Sequence, residues 1–523
     1  MGEKVARIDE LADGTVHEVV VGGKRVVLVR RGESVRAFAA RCPHYGVSLG
    51  KGMLHDGRLV CAGHQAVFAA DDGHLLEPPA FDCPARFEAR VVDGDVFVDR
   101  PDDAPSAVPP PMADFDPVAD GRTFAMIGGG GVAAAAVETL RVEGFQGRIV
   151  VIDEGERWPY DRPNLSKDFL TGELDPQWLP LRPASFYEKH GIERLRARVC
   201  TFDMPSRVVQ LDDGTTVVPD AVLLAPGAAP RTLEVPGADA HGIFTLRSWD
   251  DAERLRTAAA AADRVVIVGG GFLGLEAAAA LTERGLRVTV VGRDEAILAR
   301  VFGTSVGDAL RQVHEQRGTR FRLGRTVREV HGGAAVKAVV LDDGSEMPAD
   351  LVVVAVGVRP ATAFVHGVTL NLDGAVEVDD RLRVAPGVWA GGDAVRYPEP
   401  HIRQAVRIEH WRLALQHGRA AARNMAGRDE PFRGVPFFWT RQHDVSLEYA
   451  GAGQGWEDII VSGDIENLDF VALYARGSRL LAAAGTRTPQ IAAFAELMRA
   501  DRLPPADELR EAGAFDLTAL LEE

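Results

Sequence analysis

Four soft metal donors sit in two short segments: Cys42 and His44 in RCPHYG, and Cys61 and His64 in VCAGHQ, with 16 residues between His44 and Cys61. Thiolate and imidazole pairs on two loops can hold a [2Fe–2S] centre, two Cys on one iron and two His on the other. A zinc ion also accepts four such donors. The Cys-before-His order on both loops favours the iron–sulfur centre, so Cys42, His44, Cys61 and His64 are the candidate metal ligands. Cys83, in PPAFDCPARF, reads as a buried free thiol, and Cys200 stands alone.

A second chemistry is written in glycines. Gly128, Gly130 and Ala133 follow the apolar run TFAMI and open an Ala-rich stretch; Asp153 and Glu154 close the next apolar run. Glycines there permit a tight turn and close backbone approach to a pyrophosphate, the helix N-terminus adds donors, and an acid after the second strand binds a ribose. The pattern recurs after RVVIV with Gly269, Gly271 and Gly274. Two such folds about 140 residues apart suggest one flavin site and one nicotinamide site. Asp393, after Gly391-Gly392, is placed to meet a flavin ribityl hydroxyl or to cap a helix.

The elements that must position these groups follow from the pattern around them. Residues 14–38 and 86–98 alternate apolar and polar, with turns at Gly22-Gly23 and Asp93-Gly94, so the first hundred residues read as all-β. A Pro-rich stretch over 101–121 reads as an extended linker. At about 3.1 Å per residue it and its flanks span on the order of 70 Å, so the first domain is tethered but need not dock rigidly. The chain has 523 residues and a formal charge of −17, against a nucleic-acid binder. No apolar run approaches the ~18 residues of a membrane span, and MGEKVARIDEL lacks a secretory h-region. The expected location is cytoplasmic.

PYDRPNLSK (159–167), VGGGFLGLE (268–276), AVGVRP (355–360), WAGGDAV (389–395), IEHW (408–411) and PFFWT (436–440) together resemble flavin-dependent ferredoxin reductases and apoptosis-inducing factors. The two Cys–His loops resemble Rieske ferredoxins, so the whole chain is similar to the Rieske-fused, apoptosis-inducing-factor-like flavoproteins. The resemblance implies a multidomain fold: an all-β Rieske domain (1–100), the linker (101–121), and a glutathione-reductase-like α/β core with two dinucleotide-binding domains. The core comprises a first FAD-binding segment (122–255), the NAD(P)-binding domain (256–375) and a second FAD-binding segment (376–428), followed by a C-terminal α+β domain (429–523). The resemblance also implies roles. Gly128, Gly130, Ala133, Glu154, Arg162, Lys167, Arg231 and Asp393 would contact FAD. Gly269, Gly271, Gly274, Glu276 and Gly357 would line the nicotinamide site, and His410, Trp411 and Trp439 would lie near either ring system. Lys167, paired with Glu276, is the candidate catalytic pair.

The implied cofactors are FAD, a [2Fe–2S] cluster and NAD(P)H. The implied activity is an oxidoreductase that passes electrons from nicotinamide through FAD to its own Rieske centre, and on to an oxygenase or ferredoxin. A slow-turnover, redox-responsive signalling or assembly protein is the rival, and a homodimer is left open. Three departures stand out. The expected Ala-Thr-Gly is Ala225-Pro226-Gly227. The second cluster loop has Gln65 where a Gly is usual. The acid that would select NADH is Gly292, followed by Arg293, which favours a 2′-phosphate, with Asp294 and Glu295 beside it. Both coenzymes are therefore expected to be accepted. No paired cysteines accompany the flavin motif, which excludes disulfide reduction.

Overall fold

The computed structural model describes residues 2–522. Both expected hairpins form. Val16–Val21 pairs with Lys24–Arg31 through Gly22-Gly23, and Arg86–Val92 pairs with Asp95–Asp99 through Asp93-Gly94. All four turn residues have positive φ, the conformation that two-residue hairpin loops require. These strands lie in a six-stranded antiparallel sheet. A four-stranded sheet built from Met53–His55, Arg58–Val60, Val67–Ala69 and Leu75–Glu77 carries the second Cys–His loop. Val27, Val29, Phe38, Leu59 and Phe68 pack beneath both loops with Cys42 and Cys61.

Two parallel sheets follow. In the first, Thr123–Ile127 is flanked by Arg148–Ile152 and Ala221–Leu224, and Val388–Ala390 returns to it late in the chain. In the second, Arg264–Val268 is flanked by Arg287–Gly292 and Leu351–Val354. The central strand of each is an apolar run buried on both faces, as a parallel sheet covered by helices demands. Ile243–Thr245 pairs with Leu351–Val354. The second fold therefore begins before residue 243, not after 255, because this strand satisfies its hydrogen bonds in the second sheet. The last unit is a five-stranded antiparallel sheet with the helix Thr488–Arg499 against it.

The linker departs from expectation. Ala107–Val108 adds a strand to Cys83–Pro84, the Ala113 amide donates to the Arg141 carbonyl (2.8 Å), and the Asp116 amide donates to the Gln146 carbonyl (2.9 Å). The first domain is docked. Arg58 pairs with Glu496 at 2.9 Å, Arg182 with Asp82 at 2.7 Å, and Gln416 donates to Glu77 at 2.8 Å. Proline richness suggests an unattached spacer; the backbone of this segment in fact bonds to both neighbours.

Candidate functional site

The two Cys–His loops share one backbone design. The Cys42 amide donates to the Val47 carbonyl (2.8 Å) and the Gly46 amide to the Cys42 carbonyl (2.9 Å); the Cys61 amide donates to the Ala66 carbonyl (2.9 Å) and the Gln65 amide to the Cys61 carbonyl (3.2 Å). Gly46 and Gln65 occupy matching left-handed positions, φ +74° and +54°. The glycine departure at residue 65 thus leaves the loop geometry intact. Both thiols are buried, and their mutual interaction raises Cys42 and lowers Cys61. The Nδ1 atoms of His44 and His64 face each other at 3.2 Å. Burial lowers His44, and burial with the nearby Lys167 charge lowers His64 to about 4, so both imidazoles are neutral, as ligands must be. The donors thus form two pairs. Among the described residues no three His, Cys, Asp or Glu side chains converge on a single ion. Paired donors fit a two-iron cluster better than one zinc.

The first glycine cradle is built as its motif requires. A Cβ on Gly128 would sit 2.2 Å from the Ala225 carbonyl oxygen, whereas one on Gly130 would find nothing nearer than Arg162 at 4.0 Å. Gly130 caps the helix Gly131–Val142, so free amides face that space. Ala133 is fully buried in this helix. Glu154 is exposed after the strand, while Asp153 accepts from the Gly129 amide (3.1 Å). Asp393 pairs with Arg247 (2.9 Å), a residue outside every motif in the sequence. Arg162 is brought to the same place, donating to the Arg247 carbonyl. His410 caps the helix Trp411–Met425, its Nδ1 is buried without a partner, and burial lowers it to about 3. The Trp411 ring packs on Gly131.

The second cradle repeats the first. A Cβ on Gly269 would collide with Ala355, and one on Gly274 with Gly269, but Gly271 and Gly357 face open space. The Arg231 amide donates to the Gly357 carbonyl (2.9 Å), which joins those two residues. Gly292 is buried against Leu323, whose terminal methyl would have to shift to admit any side chain there. Arg293 is 74 % exposed and only 3.9 Å from Asp294, which Arg300 holds at 2.8 Å.

Between the cradles, Lys167 Nζ meets Glu276 Oε2 at 2.7 Å, and both side chains are 8 % exposed. Ser166 donates to the same oxygen (2.6 Å) and Thr440 to the other (2.7 Å). Thr440 accepts from Gln442 (3.2 Å), whose carbonyl bonds His314 (3.0 Å). The preceding residue, Trp439, lies 4.4 Å from the His64 ring and 6.0 Å from that of His44. One strand thus touches the candidate cluster ligands and the buried ion pair. Thr440 stands in the PFFWT motif, but only the fold shows what its hydroxyl does.

Two dinucleotide cradles, a buried Lys–Glu pair between them and a docked four-donor cluster site define a flavin- and nicotinamide-dependent oxidoreductase. The chain belongs to the pyridine nucleotide-disulphide oxidoreductase family, which matches residues 122–418, with a Rieske [2Fe-2S] domain over 3–92 and a reductase C-terminal domain over 437–521. It is 36 % identical over 514 residues to apoptosis-inducing factor 3 of Homo sapiens, covering 95 % of this chain and 84 % of that protein. It is 32 % identical to rhodocoxin reductase of Rhodococcus erythropolis, over 76 % of this chain and 93 % of that one. The covalent putidaredoxin reductase–putidaredoxin complex matches with a TM-score of 0.71 at 28 % identity, over 77 % of this chain and 98 % of that one. The protein is a ferredoxin-reductase-type NAD(P)H oxidoreductase whose cofactors are FAD, NAD(P)H and a [2Fe–2S] cluster. Among the described residues no helix is long and apolar enough to cross a membrane.

Proposed function

We propose that this protein takes a hydride from NAD(P)H onto FAD and sends the electrons one at a time to its own Rieske cluster, and from there to an acceptor protein. The hydride chemistry and the one-electron steps belong to the cofactors. In this reading Gly128, Gly130, Ala133, Glu154, Arg162, Arg231 and Asp393 hold FAD. Gly269, Gly271, Gly274, Gly357 and Arg293 hold the nicotinamide coenzyme, His410 and Trp411 wall the ring site, and Cys42, His44, Cys61 and His64 hold the cluster. Lys167 would offer a positive charge to the bound flavin, and Glu276 holds its ammonium in place.

The observation that carries the proposal is the Trp439–His64 contact, one residue from the hydroxyl that anchors Glu276. It supports a short covalent and packed path from the flavin side to the cluster. Anaerobic stopped-flow mixing with NADH tests it. Flavin bleaching followed by loss of the cluster's visible absorbance, in one molecule and at a rate independent of protein concentration, is expected. Cluster reduction that scales with protein concentration would show transfer between molecules and sink the reading.

A further inference from the structure

We propose that His314, a buried histidine outside both cradles, is a positioning residue for the Lys167–Glu276 pair: its imidazole fixes the orientation of the Gln442 amide, and that orientation aims the Thr440 hydroxyl at Glu276. This rests on the reading above in which the Lys167 charge acts on the bound flavin. His314 lies in the helix Thr304–Gln316 of the second dinucleotide-binding domain and is fully buried. Thr440 and Gln442 lie on the strand Phe437–Gln442 of the last unit and are also buried. Glu276 is on the helix Phe272–Glu283, and Lys167 is on the segment before Asp168 in the first domain. One hydrogen-bonded chain therefore crosses three units of the fold.

The direction of each bond in the chain is forced by the one before it. Among the described residues His314 Nδ1 is buried without a partner. A proton there would be an orphaned donor, and buried N–H groups without an acceptor are rarer than acceptors without a donor. Burial lowers His314 to about 4, so the ring is neutral and carries one proton. That proton sits on Nε2, which donates to Gln442 Oε1 (3.0 Å). With its oxygen taken, the Gln442 amide turns its NH2 to Thr440 Oγ1 (3.2 Å). A hydroxyl has one hydrogen to give. Thr440 accepts from Gln442, so its own hydrogen goes to Glu276 Oε1 (2.7 Å). Without the imidazole donor, nothing in the chain dictates which end of the Gln442 amide faces Thr440. A flipped amide would offer Thr440 an oxygen, and the hydroxyl hydrogen would leave Glu276 for it. Glu276 would then lose its tie to the strand, and Lys167 would be freer to face the flavin. The imidazole is itself held in place, with Phe321 at 6.0 Å and His443 at 4.9 Å between ring centres. His443 is anchored in turn by Glu283 at 3.0 Å.

The test uses the full-length, FAD-loaded holoprotein and two readouts. The first is isotope-edited nitrogen NMR of the histidine side chains, with His314 assigned by its absence in His314→Gln. The Nε2–H tautomer is expected. The Nδ1–H tautomer would overturn the proposal, because Gln442 would then present NH2 to the ring and oxygen to Thr440. The second is an anaerobic redox titration against a dye. At a fixed dye potential His314→Leu should raise the ratio of reduced to oxidised FAD at least threefold. His314→Gln, whose side-chain nitrogen can replace Nε2 as the donor, should stay close to wild type. Added to Thr440→Val, His314→Leu should have no further effect, because the chain is already cut. A wild-type ratio in His314→Leu, or an effect that adds in full to that of Thr440→Val, would each sink the proposal. If Lys167→Met shifts the ratio and His314→Leu does not, the role of His314 alone falls. If Lys167→Met leaves the ratio unchanged, the reading of Lys167 above falls and takes this proposal with it.

Discussion

The guanidinium of Arg412, in the helix that begins at Trp411, donates to the backbone carbonyl of Gln65 in the second cluster loop at 2.9 Å. It also donates to the Pro78 carbonyl at 2.8 Å. Arg412 is 4 % exposed, and its carboxylate partner, Glu77, lies 3.9 Å away in the Rieske domain. A cation buried under another domain cannot be released cheaply, because lifting that domain leaves its partners unpaired. The cluster loop and the flavin-side helix are therefore held in one fixed relation.

Replacing Arg412 with Met keeps much of the volume and removes those donors. The Rieske domain should then open more often. Native-state digestion with proteinase K should cut the Pro-rich segment at least tenfold faster than in wild type, and an unchanged cleavage rate would show that Arg412 does not hold the interface.

Cys42→Ser should abolish the cluster's absorbance and leave FAD bound. Cys42 packs in a core formed by the Rieske domain's own side chains, separate from the core under the first dinucleotide cradle. Retention of the iron–sulfur spectrum would refute the ligand assignment.

Thr440→Val deletes the donor to Glu276 Oε1 and the acceptor for Gln442. Two buried polar groups lose partners, which should cost about 1–3 kcal/mol of stability. With Glu276 held less firmly, Lys167 is freer to face the flavin, so the equilibrium midpoint potential of bound FAD should rise. Thr440→Ser should restore both values. A potential that does not move in the Val variant separates a purely structural role from this one.

Arg293→Ala should weaken NADPH binding roughly tenfold, the effect of about 1.4 kcal/mol, and leave NADH nearly unchanged. Asp294 is occupied by Arg300, which leaves the Arg293 guanidinium free for a 2′-phosphate. Equal loss for both coenzymes in a binding titration would exclude that role.

Glu399 is 1 % exposed, takes the Ile402 amide hydrogen at 2.7 Å and leaves its other oxygen unpartnered. Burial raises it to about 7. A carboxyl raised on folding stabilises the protein below its unfolded value near 4.5, and that contribution is lost as pH climbs toward 7. Glu399→Gln should therefore flatten the fall in Tm between about pH 5 and 7.5. A variant whose Tm profile parallels wild type would show that another group titrates.

The fold is legible in the sequence where its determinants are local. The hairpin turns at Gly22-Gly23 and Asp93-Gly94 and the Gly128 and Gly269 turns each need a backbone conformation that few residues adopt, so the residue type announces them. Lys167 and Glu276, 109 positions apart, are paired in the sequence only through family resemblance, and the fold brings them together. What stays hidden depends on tertiary placement. Nothing near Tyr45 reveals Asp161 as its partner, nothing in WRLALQHGRAAARNM reveals Arg412 and Gln416 reaching into another domain, and proline content conceals a paired linker. The boundary before Ile243 escapes the sequence because a three-residue strand carries too little pattern to declare its sheet.

Val108 is paired within the Rieske domain and Ala113 is bonded to the flavin-side domain, so only residues 109–112, three of them proline, connect the two anchors. A tether that short and stiff gives the docked domain a high effective concentration against its own core. On the electron route proposed above, dilution then has no hold on the internal step: a drop in protein on the order of a thousandfold would starve a reductase that must meet a separate ferredoxin, yet leave transfer within this chain at full speed. On that route the dependence on abundance is moved outward, to the acceptor.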